Sequence, residues 1–88
     1  MTADKVNRLA MVLVDTLSEY RDDVPESHAV IAAEGLGLQF QEAMTAINIM
    51  IEGKLLKREQ GPVLVPGDKF EDIKMMLDKW KAKNGVPA

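Results

Sequence analysis

Residues 51–66, IEGKLLKREQGPVLVP, constrain the fold more tightly than any other stretch. An apolar helical pattern closes at Gly53, a short basic segment follows, the chain turns at Gln60, Gly61 and Pro62, and an apolar run returns. Glycine supplies the positive φ that a tight hairpin needs, and proline, with no N–H to give, belongs at an edge or at the first position of a strand. Two strands are predicted, 54–59 and 63–65. A helix therefore runs straight into a β-hairpin, and 88 residues leave room for one modest core around that junction.

The rest of the chain reads as helices. Over 4–20, Val6, Leu9, Ala10, Leu13, Leu17 and Tyr20 recur at spacings of three and four, one face of a 3.6-residue period. Thr2 or Ala3 stands at the cap, and Asp4 suits the positive end of the helix dipole. Met11, Val12 and Val14 widen the apolar arc, so this helix is either buried on two sides or meets a partner chain. Asp23 followed by Glu26, with Pro25 in the first turn, has the form of a capping box and predicts a helix over 25–34 with Ala29, Val30 and Ala33 inward. Gly35 and Gly37 break it. A further helix is predicted over 39–52, with Phe40, Ala43, Met44, Ile47 and Ile51 inward and Gly53 just past its end. Ala46, Ile49 and Met50 leave its rotation open by about one residue. Asp68 with Glu71 predicts a last helix over 68–83, lined by Phe70, Ile73, Leu77 and Trp80, and 84–88 read as a frayed tail.

The order is helix, helix, turn, helix, hairpin, helix: an α+β chain, mainly α, and one domain over 1–88. In IAAEGLGLQFQEAMTAINIMIEGKLLKREQGPVLVP, residues 31–66, a small residue on the first helix of a pair (Ala33) precedes a turn glycine four positions on (Gly37), flanked by Leu36 and Leu38. The second helix ends in Glu52-Gly53-Lys54-Leu55-Leu56, and the hairpin follows. These residues resemble the winged helix-turn-helix superfamily, in which a small side chain lets the helices cross and glycine permits the turn. The resemblance implies a wing over 54–66 and, in a DNA-binding member, a second helix that enters the major groove. Its outward residues here would be Gln39, Gln41, Glu42, Thr45 and Asn48. Gln39, Gln41, Thr45 and Asn48 would then meet base edges, and Lys54, Lys57 and Arg58 would meet phosphates.

Charge points the other way. Residues 1–44 carry three basic side chains against eight acidic ones, net −5, while residues 45–88 carry eight against six, net +2. No Lys or Arg lies between Asp22 and Gly53, where Asp22, Asp23, Glu26, Glu34, Glu42 and Glu52 all fall. Duplex affinity comes largely from neutralised phosphates, so this is a poor footprint for DNA. The group Asp15, Glu19, Asp22, Asp23 and Glu26 is either a solvated face or a patch that docks a basic partner.

Nothing else in the sequence points to catalysis or a cofactor. His28 is the single histidine, there is no cysteine, and the carboxylates follow no metal-loop spacing. No enzyme activity, metal or cofactor is expected. The longest apolar run, 9–14, is far too short for a membrane, no signal peptide is expected, and a cytoplasmic location is. Two functions are therefore expected in competition. The first is a regulatory module working through protein contacts or through homodimerisation by its terminal helices, where the broad arc of the first helix and the pair Met75 and Met76 supply apolar surface. The second is a sequence-specific DNA-binding regulator.

Overall fold

A computed structural model describes residues 2–85. Seven elements follow in order: α1 (Ala3–Glu19), β1 (Val24–Pro25), α2 (Glu26–Gly35), α3 (Phe40–Glu52), β2 (Leu56–Glu59), β3 (Val63–Pro66) and α4 (Phe70–Asn84). The chain is α+β and mainly helical, with an antiparallel sheet ordered β1-β3-β2. In β2 and β3, Leu56 stands opposite Pro66 and Glu59 opposite Val63, which leaves Gln60, Gly61 and Pro62 as the turn, with Gly61 at φ +126°. No described helix is long and apolar enough to cross a membrane.

The core lies where the sheet meets the helices. Leu9 of α1, Ile47 of α3, Leu56 of β2 and Leu64 of β3 are its largest fully buried side chains. Ala29 and Ala33 of α2 and Ala43 and Ala46 of α3 are all fully buried. Four side chains that small let the two helix backbones cross closely, as the resemblance implied for Ala33. Gly37, at φ +87°, makes the turn between them, and Lys5 Nζ donates to its carbonyl at 3.5 Å.

The broad arc of α1 is covered within the chain: Met11 and Val14 are buried along with Leu9, Leu13 and Leu17. Val12 remains partly exposed. Tyr20, expected on the inner face, is instead the residue after the helix and is 78% exposed. Thr2 caps this helix, its Oγ1 accepting from the Lys5 N–H at 3.4 Å. In α3 the buried residues are Ala43, Ala46, Ile47 and Met50, while the expected inward Phe40 is 60% exposed. The helix is thus rotated toward its alanines, because close contact with α2 excludes a ring there.

Four further helix ends depart from expectation. Asp23 does not cap α2; Val24 and Pro25 extend instead as β1 and pair with Leu64 and Val63 of β3. Burial of Val24 against the sheet outweighs the cap, and the first helical N–H, from Glu26, donates to the Pro62 carbonyl at 3.1 Å. Asp68 does not cap α4, which starts two residues later after Lys69. There the chain is pinned by Gly67 N–H donating to Leu55 O and Lys69 N–H donating to Lys54 O, both at 2.9 Å. The inner face of α4 is as expected, with Phe70 and Leu77 buried and Ile73 and Trp80 packed on the core. Asn84, expected in the tail, closes α4, and Gly85 caps it at φ +67°. The tail positions 86–88 lie outside the described residues.

The fourth is at the end of α3. Gly53 has φ −78°, and the left-handed position falls one residue on, at Lys54 with φ +68°. A side chain in this conformation crowds its own carbonyl, a strain that glycine does not carry. Lys54→Gly is expected to raise stability by up to about 1 kcal/mol, read as a higher denaturant midpoint at unchanged slope.

Candidate interaction surface

The outward side of α3 and the β2–β3 hairpin hold most of the residues that the sequence singles out. Gln41, Thr45, Asn48, Ile49 and Glu52 share the exposed side of the helix, opposite the buried alanines. Gln39 precedes the helix, and its N–H donates to Glu42 Oε1 at 3.0 Å. That bond is the first cause holding the Glu42 carboxyl below its ordinary pKa, with the Lys5 charge adding a smaller pull. A carboxyl depressed in the folded state stabilises at neutral pH, and the contribution is lost as the pH falls through its folded pKa. The Thr45 hydroxyl donates back to the Gln41 carbonyl at 2.9 Å, so its proton is already engaged within the helix.

Arg58 is the residue whose setting differs most from its expected role. Its Nη2 donates to Glu26 Oε1 at 2.7 Å and its Nε donates to Glu26 Oε2 at 3.1 Å, a forked pair between β2 and the first residue of α2. Nη2 also reaches Asn48 Oδ1 at 3.3 Å. Hydrogen bonding to Glu26 raises the Arg58 pKa further above its ordinary value. The Glu26 side chain is only 12% exposed and that of Arg58 41%. A two-point guanidinium–carboxylate pair is among the stronger ionic contacts, though exposure of one partner screens it. A double-mutant cycle on Glu26→Gln and Arg58→Gln is expected to give a coupling of about 1 kcal/mol in chemical unfolding.

This cluster changes the electrostatics of the surface. The residue expected to hold phosphate is matched by a carboxylate, and Asn48, expected to read a base, has its oxygen turned to that arginine. Lys54 and Lys57 are exposed, and no ion pair engages either among the described residues. With Leu56, Arg58 and Gly67 they line a cleft of about 270 Å³ at the end of α3, and Ile51 and Asp68 complete its lining.

The five acids of the other candidate patch are divided. Glu26 is drawn to Arg58, Asp15 lies 3.8 Å from Lys81 and ties α1 to α4, and Asp23 lies 3.6 Å from Arg21. Glu19 and Asp22 are exposed near the end of α1. His28 is exposed, and no group of three metal-ligating side chains occurs among the described residues.

Sequence reasoning missed the Glu26–Arg58–Asn48 cluster. Glu26 and Arg58 are 32 positions apart, and only the antiparallel return of β3 between β1 and β2 brings them together. The signal that was present is the lone glutamate at the start of α2 beside a basic hairpin. No family model matches the chain, and neither a curated protein nor a solved structure does.

Proposed function

We propose that this chain is a non-catalytic regulatory module of the winged helix-turn-helix type, with β2–β3 as its wing, and that it works through protein contacts. The helix-turn-helix serves as scaffold, and the outward side of α3 meets the partner. One observation carries the reading: Arg58, the arginine that reaches the exposed side of α3, is held by Glu26 and Asn48, and α3 itself carries no Lys or Arg. That side instead offers Ile49, half exposed, among Gln41, Thr45 and Glu52. A mixed polar and apolar surface of this kind suits a protein, whereas a phosphate backbone would meet Glu52 with only Lys54 and Lys57 beside it.

Homodimerisation is a form of the same reading. Its support now rests on α4, where Met75 and Met76 are both more than half exposed on a helix whose other large apolar residues are packed. Exposed flexible methionines suit an adaptable contact.

DNA binding is the competing function, and the two separate on salt. In a fluorescence anisotropy titration at about 50 mM salt, the chain is expected to leave mixed-sequence duplex unbound. Saturable binding that weakens steeply with salt and is abolished by Lys57→Glu with Arg58→Glu would establish the DNA reading instead.

A further inference from the structure

We propose that the basic cleft beside β2 receives an extended acidic peptide of the partner, which adds to the open edge of β2 as a further strand. The inference rests on the protein-contact reading and names where and how that partner is gripped.

Four observations lead there. First, β2 is an edge strand: β3 lies on one side of it, and no strand among the described residues lies on the other. An extended chain can continue such a sheet by main-chain hydrogen bonds, with its alternate side chains falling into pockets. Second, the cleft sits at the start of that strand, where the half-buried Ile51 supplies apolar lining. Its volume of about 270 Å³ suits one or two side chains better than a whole drug-sized ligand.

Third, the charge at the cleft is unbalanced. Arg58 is matched by Glu26, and the lining that holds Lys54 and Lys57 includes a single carboxylate, Asp68. A lysine on an edge strand opposes pairing with neutral or basic strands and favours an acidic one. Fourth, Lys54 holds the left-handed conformation one residue after Gly53. The Lys54 N–H donating to Ile51 O and the Leu55 N–H donating to Met50 O hold the backbone there, which fixes where this lining lysine leaves the chain.

The four observations define the ligand: an extended segment that alternates carboxylate and apolar side chains. Its carboxylates meet Lys54 and Lys57, and one apolar side chain rests on Ile51.

The test is amide chemical-shift mapping on the full chain, with a capped peptide of alternating glutamate and valine as the probe. Saturable shifts are expected at residues 54–58 and 67–68. Lys54→Glu with Lys57→Glu should weaken binding at least about tenfold, because both cations are reversed. The same peptide with alternate amides methylated should fail to bind, since it cannot join the ladder. A lysine–valine peptide should fail as well. No shifts at millimolar peptide, or binding that survives amide methylation, would overturn strand addition. Equal shifts produced by acetate alone would reduce the cleft to a site for small anions and overturn it too. If the peptide fails and duplex DNA also fails, the cleft proposal falls while the protein-contact reading stands. If duplex shifts these residues and those of α3, both fall.

Discussion

Gly67→Ala is expected to destabilise the chain by about 3 kcal/mol, a large fraction of what a domain of this size possesses. A β-carbon placed at Gly67 would stand 2.4 Å from the Lys54 carbonyl oxygen, 2.9 Å from the Lys54 carbonyl carbon and 3.0 Å from Leu56 O. All three are backbone atoms, so no rotamer change relieves the clash. Nor can the two segments simply part. Gly67 N–H donates to Leu55 O and Lys69 N–H donates to Lys54 O, so separation breaks the bonds that seat α4 against the hairpin. In thermal unfolding the midpoint should fall by more than about 10 °C. A fall of only a few degrees would show that the bend between β3 and α4 is far looser than its hydrogen bonds indicate.

Leu64→Ala should cost a similar amount, about 3 kcal/mol, by a different route. Leu64 is fully buried at the centre of the sheet, opposite Val24 on one side and Arg58 on the other. Truncation leaves a cavity where β1, β2 and the helices meet, and close-packed neighbours refill it only in part. Denaturant titration should show a lower midpoint with an unchanged slope. Val12→Ala is the natural control: a partly exposed residue of α1, it should cost far less.

The helices and the hairpin are legible in the sequence because each repeats its own period over enough residues. The 3.6-residue recurrence in α1, and the run from Phe70 to Trp80 in α4, admit little else. The turn glycines Gly37 and Gly61 were equally legible, since both take the positive φ that their turns demand. What failed were features settled by neighbours. Asp23 and Asp68 each begin a capping pattern, yet β1 and the Gly67 bend claim the backbone there for other hydrogen bonds. Two residues of strand give no alternation to read, so β1 left no periodic trace. Phe40 outranks Ala46 in hydrophobicity, but the closeness of α2 favours the alanine.

The candidate surface was legible in its membership and not in its charge state. Gln41, Thr45 and Asn48 do share the exposed side of α3, as the helical period requires. The neutralisation of Arg58 by Glu26 was hidden, because it depends on which strand β3 places beside β1. That one pair engages one of the three cations expected to meet phosphate, and it is the observation on which the proposed protein-contact reading rests. It also isolates Lys54 and Lys57 as the cations still available at the cleft.

Under the proposed function, the exposed side of α3 and the β2–β3 hairpin do not form a duplex-binding surface, and a salt series tests this most directly. Fluorescence anisotropy of a labelled mixed-sequence duplex should be followed from about 50 to about 200 mM salt, with the chain and with Lys57→Glu and Arg58→Glu together. The expected result is no saturable binding at any salt and no difference between the two proteins. Tight binding at low salt that falls steeply as salt rises, and that the double substitution removes, would contradict the account.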